Sequence, residues 1–259
     1  MTESAARPDT DTEQPLIAHL AELRNRLLRC LACVFVVFLG LSLFANDIYS
    51  LIAGPLLAQL PEHSSMIATE VAAPFLAPFK LVFFVAVFIS VPYLLYQAWA
   101  FIAPGLYDNE RRLVVPLISS SVLLFYLGCA FAFFVVFPLL FAFLTSTAPD
   151  GVTVMTDISH YLNFILKMFF AFGIAFEVPI AIILLVWTGL ATVASLARKR
   201  AYIIIGAFTV GMLLTPPDII SQVLLAVPVW LLFELGLILG RFVKRRSEDE
   251  AETRAAASD

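Results

Sequence analysis

Glu177 sits in AFGIAFEVPIAII (171–183), a stretch with no other polar side chain. An ionised acid at bilayer depth costs about 2.5–3.5 kcal/mol on insertion scales, so such a group faces protein or water, is protonated, or waits for a partner. Pro179, two residues on, removes a backbone donor and leaves a nearby carbonyl unpaired. The point is doubly polar, and an intramembrane acid marks a functional site by default.

Two other acids stand at the edges of apolar runs. Pro15 to Leu27 reads as an amphipathic helix, with Leu16, Leu20, Leu23 and Leu27 on one face and His19, Glu22, Arg26 and Arg29 on a neighbouring one. Either Glu22 is tied to Arg26 four residues on, in a helix lying on the headgroups, or it offers a carboxylate to an incoming cation. Glu110 closes FIAPGLYDNERR (101–112), where Pro104 and Gly105 make a turn and Pro116 suits the first turn of the next helix. Arg111 and Arg112 have an ordinary role as topology anchors, and Glu110 alone reads as a solvated loop charge.

The remaining candidates are blander. Lys167 lies ten residues before Glu177, about 15 Å along a helix, too far to pair, and is expected to snorkel. Glu234, near the end of the last run, reads as structural. Cys30 and Cys33 form a lone C-x-x-C and Cys129 lies within a run, so packing is their expected role. His19, His63 and His160 are scattered. There is no H-E-x-x-H, P-loop, G-x-S-x-G or dinucleotide fingerprint. The chain does not read as an enzyme, and no metal or cofactor is expected. Nor is nucleic acid, because no basic patch comes with interleaved aromatics.

The elements that hold these groups are membrane spans. The chain is 61% hydrophobic and 14% charged, with net charge −4, and lipid must be the solvent for most of its surface. Six runs are predicted at about 27–44, 76–102, 113–144, 161–190, 201–214 and 219–240. Of 16 Lys and Arg, all but Lys80 and Lys167 fall in the tails or in the second and fourth gaps. Basic residues near spans stay cytoplasmic, which predicts six crossings with both termini inside. Residues 14–246 form one membrane domain; 1–13 and 247–259 read as disordered tails. The polar, acidic start predicts no cleaved signal peptide, so the first run is kept as a span. The fifth run would be about 21 Å of helix against a hydrocarbon core of about 30 Å. Pro92, Pro138, Pro179 and Pro228 favour kinks, with which helices could curve round a shared concavity. In the long first external loop, 51–60 reads as a brief helix. The halves show no matched broken helices of an inverted repeat.

In this order within a six-span chain, H-L-x-E-L-R-x-R (from His19), F-x-x-P-G-L-Y-x-x-E-R-R (from Phe101), Glu177-Val178-Pro179 and T-P-P-D (215–218) resemble the TatC family, receptor subunits of the twin-arginine protein translocase. The resemblance covers about residues 14 to 246. It implies an all-α, six-span fold with a concave face, in a bacterial cytoplasmic (inner) membrane. It implies export of folded proteins through signal peptides bearing consecutive arginines, driven by the proton gradient. Glu22 and Glu110 match the acids that recognise the arginine pair, a role suited to planar guanidinium forks. Arg24 and Phe101 match positions close by. Glu177, Met212, Thr215 and Gln222 match positions that meet the single-span partners TatA and TatB in an oligomeric complex. Pro55, Phe75 and Asp218 match external-loop positions. Asp108 adds a carboxylate two residues before Glu110, which either strengthens the local negative potential or competes for the signal.

Two other readings share these features. A secondary transporter would couple ion movement through Glu177 and would not need Glu22 or Glu110. A purely structural assembly subunit would tolerate replacement of both.

Overall fold

The computed structural model describes residues 13–50, 66–69, 71–102, 111–146, 156–214 and 219–256. Long apolar stretches with few breakers satisfy their backbone groups internally, and nearly every described residue is helical. The elements are α1 (Glu13–Ser42), β1 (Met66–Ile67), α2 (Ala73–Ile102), α3 (Arg111–Phe131), a π-helical turn (Ala132–Val136), α4 (Phe137–Ser146), β2 (Thr156–Asp157), α5 (Ile158–Phe176), α6 (Val178–Trp187), α7 (Val193–Arg198), α8 (Arg200–Leu214) and α9 (Ile219–Ala256). Five stretches are long and apolar enough to cross a membrane: His19–Ser42, Ala73–Ile102, Val115–Phe143, Ile158–Trp187 and Gln222–Phe242. The expected fifth span, α8, has 15 residues, about 22 Å of helix, and remains short of a hydrocarbon core.

Side-chain contacts give the directions. Arg26 meets Gln97, Cys33 meets Ser90 and Phe38 meets Phe83, so α1 and α2 run antiparallel. Trp99 meets Ser121 while Phe88 meets Tyr126, so α2 and α3 do the same. Phe84 of α2 meets Phe170 of α5, and β1 and β2 pair in parallel, Met66 opposite Thr156 and Ile67 opposite Asp157. This short pairing was not foreseen. The main core gathers Val136, Phe137, Ile165, Met168, Phe172 and Leu225 from the π turn, α4, α5 and α9.

The four prolines expected to kink the spans behave differently. Pro138 follows the π-helical turn, where its missing N–H cannot bond the Phe134 carbonyl and the ladder shifts register. Pro179 sits in the first turn of α6, directly after the break at Glu177. Pro92 and Pro228 lie inside helices that remain continuous. Continuity is greatest at the end of the chain: α9 extends to Ala256, into the segment expected to be disordered. The Glu, Ala and Arg of that segment are strong helix formers and need no apolar face to continue a helix already begun. The suggested helix at 51–60 lies outside the described residues.

Without a hydrophobic drive between helices in lipid, close packing holds spans together, and small residues permit it. A Cβ at Gly128 of α3 would come within 2.5 Å of the Phe172 carbonyl oxygen of α5, and one at Gly173 within 2.5 Å of the Phe125 ring. Gly40 has open space around it. Gly128→Ala is therefore expected to destabilise by about 1–3 kcal/mol through overpacking against backbone, with Gly40→Ala near wild type. Thermal unfolding in detergent checks this, and equal melting of the two variants would refute the close-packing account.

Candidate functional site

At the end of the bundle where α1 starts and α2 finishes, Glu22 and Arg26 face the same way one helical turn apart. Arg26 donates from Nε at 2.8 Å and from Nη2 at 2.6 Å, both to Glu22 Oε1. Its Nη1 reaches across to Gln97 Oε1 of α2 at 3.0 Å, and Gln97 Nε2 donates to the Tyr93 hydroxyl at 2.8 Å. One turn away, His19 stacks on Phe101 with ring centroids 4.3 Å apart. Arg26 is thus used up within the protein, whereas Glu22 is 39% exposed and its Oε2 has no partner among the described residues. Arg24 is exposed and bonds only its neighbour Asn25. Glu110 and Asp108 lie outside the described residues, although Glu110 immediately precedes the first residue of α3. The structure therefore places Glu22 one helical turn from the His19–Phe101 stack, with Arg24 on the same helix.

Glu177 occupies the break between α5 and α6 and is 8% exposed. Its backbone N–H donates to the Ile174 carbonyl at 3.0 Å, and its own carbonyl accepts from Ala181 at 2.9 Å. Ser121 of α3 donates its hydroxyl to Glu177 Oε2, and the Trp99 indole of α2 donates to Ser121 Oγ at 2.8 Å. Glu177 Oε1 is buried and has no partner among the described residues. This is one directed chain from indole to hydroxyl to carboxylate, each donor polarising the next. An orphaned buried acceptor costs about 1–3 kcal/mol, a cost that a docking donor would remove. Sequence reasoning singled out Glu177 but missed Trp99 and Ser121, which look like ordinary span residues until folding places them beside the acid.

The other proposed positions are spread out. Met212, at the end of α8, is exposed, and Gln222 near the start of α9 is half-buried. Gly211 lies against Gln222, so Met212 and Gln222 share the α8–α9 junction. Phe75 is exposed on the first turn of α2, its ring 5.2 Å from Phe79. Thr215, Asp218 and Pro55 lie outside the described residues. Glu234 has the structural part assigned to it, taking a bidentate pair from Arg200 Nε and Nη2 that joins α8 to α9. Cys33 lies 3.8 Å from Ser90, and the three cysteines are free. Among the described residues no cluster of His, Cys, Asp and Glu is placed to hold a metal ion.

Asp157 escaped the sequence reading. It caps α5, accepting at Oδ1 from the backbone of Ser159 (2.9 Å) and His160 (3.0 Å). At Oδ2 it accepts the Thr69 hydroxyl (2.6 Å) and the Thr69 backbone N–H (2.9 Å). The signal was present as an Asp directly before an apolar run.

A bundle of apolar helices with polar groups held at chosen depths defines a multi-pass membrane protein. Residues 18–228 match the family described as Sec-independent protein translocase protein (TatC). Proteins of that description are 60% identical over 243 residues in Haemophilus influenzae, covering 94% of this chain and 95% of the relative, and 58% identical over 246 residues in Azotobacter chroococcum, covering 95% and 96%. The Escherichia coli K12 protein is 58% identical over 239 residues, covering 92% and 93%. A crystal structure of the twin arginine translocase receptor TatC superposes with a TM-score of 0.78 at 37% identity, covering 87% of this chain and 99% of that one. The chain belongs to the TatC family and is a core subunit of the Sec-independent protein translocase. That settles the choice against the secondary transporter.

The Thr69 hydroxyl first, then the backbone donors of Thr69, His160 and Ser159, hold the Asp157 carboxyl well below the usual carboxylate range. A depressed value stabilises the fold above the unfolded-state value of about 3.9 and loses that contribution as pH falls below it. Wild-type protein is thus expected to lose more melting temperature between pH 7 and pH 3 than Asp157→Asn. Equal losses in the two proteins would remove this clasp from the account of acid stability.

Proposed function

We propose that this chain is the receptor that binds twin-arginine signal peptides, at the cytoplasmic face of a bacterial inner membrane. It crosses six times, with both termini and the Glu22–Phe101 end of the bundle inside. The Lys and Arg distribution supports that orientation, since the basic gaps adjoin this end and the gaps at the β1–β2 end hold none.

The observation that carries the proposal is the half-occupied carboxylate of Glu22. Arg26, braced by Gln97, fixes one oxygen, and the other stays available in a partly exposed setting beside Phe101. An arginine pair brings two planar forks of donors, and Glu110 supplies the second carboxylate from the short segment between α2 and α3. The apolar part of the signal then lies along the exposed span surfaces, driven there by burial. Arg24 is two residues from Glu22 and so on another face of α1, where it would meet the signal peptide outside the arginine pair.

The same reading assigns Glu177 and the α8–α9 junction to assembly. A carboxylate oxygen buried without a partner favours docking of single-span subunits, TatA and TatB, that carry a matching donor. Met212, Thr215 and Gln222, from the end of α8 to the start of α9 in the sequence, provide a second contact surface, and several copies form the working complex. Phe75, Pro55 and Asp218 belong to the outer surface. Folded proteins are then exported at the expense of the proton gradient.

Glu22→Ala and Glu110→Ala are each expected to weaken binding of an arginine-pair peptide at least tenfold, a loss of roughly 1.4 kcal/mol or more, with Asp or Gln keeping part of it. Binding should also fall as salt rises, because the attraction is between partly exposed charges. Fluorescence anisotropy with detergent-solubilised protein measures both effects. A salt-independent affinity, or an unchanged one in the double variant, would remove the recognition role.

Glu177→Ala is expected to leave peptide affinity unchanged while lowering co-purification of the single-span subunits. Normal co-purification would refute the assembly role.

A further inference from the structure

A cavity of about 550 Å³ opens between α1, α2 and α5 near the β1–β2 end. Its walls are aromatic, with Phe38 from α1, Phe83 from α2 and Phe170 from α5; its polar groups are Lys80, Asn163 and Lys167. None of these residues belongs to the recognition end or to the Glu177 network.

The two lysines stand at similar depth. Phe84 of α2 meets Phe170 of α5 with ring centroids 5.1 Å apart; Lys80 precedes the first by four residues and Lys167 the second by three, about one helical turn in each case. Both side chains are exposed. Neither forms an ion pair with a carboxylate of the described residues, whose pairs are Arg26–Glu22, His160–Asp157 and Arg200–Glu234. Asp47 belongs to an adjoining pocket of about 430 Å³ that shares Phe79 with this one. Two unneutralised cations lining one apolar groove at bilayer depth repel each other and are costly there.

We propose that this groove binds an anionic phospholipid, its phosphate held between Lys80 and Lys167 and an acyl chain lying along the phenylalanines. Charge complementarity selects the headgroup, as in other basic pockets between membrane helices. The amide of Asn163 offers a further donor to phosphate or glycerol oxygens. The two cations select an anionic headgroup over the apolar flank of a partner span, which carries no charge to neutralise them. The aromatic lining favours a lipid over a free anion, because inorganic phosphate would leave the apolar walls uncovered.

The test is native mass spectrometry of the purified full chain, released from micelles containing phosphatidylglycerol or phosphatidylcholine with the same acyl chains. Wild type is expected to retain phosphatidylglycerol about tenfold better, given two basic residues acting on one headgroup. K80Q/K167Q should fall to the phosphatidylcholine level, while K80R/K167R keeps the preference and guards against misfolding as the cause. Equal retention of the two lipids by wild type overturns the proposal, as does an undiminished preference in K80Q/K167Q. Stripping of the adduct by millimolar inorganic phosphate would assign the groove to a free anion, and displacement by an acidic single-span peptide would assign it to a protein helix; either overturns it. The readout is independent of signal-peptide binding, so its failure leaves the receptor reading untouched.

Discussion

The hydrogen-bonded chain from Trp99 through Ser121 to Glu177 constrains the middle of the bundle. It spans three successive passes of the chain, α2, α3 and the α5–α6 break, and all three members are buried. Ser121 is fully buried, so its hydroxyl has only these two partners to satisfy. The indole donor leaves the serine proton one direction to point, which is toward the acid. A buried acid with one satisfied oxygen needs such support, because nothing else in the described surroundings offers it a donor. The break at Glu177 follows from the same place: Pro179 cannot continue the ladder, so α6 leaves at its own angle. On its far side α6 packs against Gly236 of α9, where a Cβ would strike Ile182 and Pro179. The acid therefore stands at the point where two packing systems meet, α3 against α5 and α6 against α9.

Other polar links tie neighbouring helices near their ends. The Glu22–Arg26–Gln97–Tyr93 chain ties α1 to α2 at one end, and the Asp157–Thr69 clasp ties the segment before α2 to the cap of α5 at the other. Arg200 and Glu234 do the same for α8 and α9. Exposed pairs of this kind contribute little each, about 0–1 kcal/mol. Their value is positional: helices whose sides are covered by lipid can slide or rotate at small cost, and a bidentate pair or a capped end fixes the register. The sides are held by close approach at glycines, which lipid cannot imitate.

How much of this was legible in the sequence depended on range. Glu22 and Arg26 share a helix face four residues apart, and their pairing could be read from spacing. Gln97, 71 residues from Arg26, could not, because no local pattern links positions on different helices. Glu177 was conspicuous because a charge in an apolar run stands out, but its partners were not, since serine and tryptophan are ordinary in spans. The proline pattern marked the disturbed places at Pro138 and Pro179, while the helices at Pro92 and Pro228 stay continuous through the missing bond. Composition suggested disorder after residue 246, yet a helix already nucleated in the membrane extends through good formers to Ala256. The β1–β2 contact is two residues long on each side, too short to leave a period in the sequence.

The arrangement around Glu22 also bears on why arginine, in pairs, would be the ligand. Both contacts from Arg26 fall on one carboxylate oxygen, so a single incoming guanidinium cannot take both oxygens of Glu22 unless Arg26 withdraws. Arg26 is braced by Gln97, which itself is held by Tyr93, and withdrawal would break that chain. The remaining oxygen gives one guanidinium a single-sided grip, which is weak against solvent competition. A second grip then has to come from another acid, and Glu110 is the residue directly before α3 in the sequence. Under the receptor reading, selectivity for consecutive arginines arises because neither acid alone can hold a ligand firmly. A lone arginine, or a lysine lacking the planar fork, would satisfy only half of the geometry.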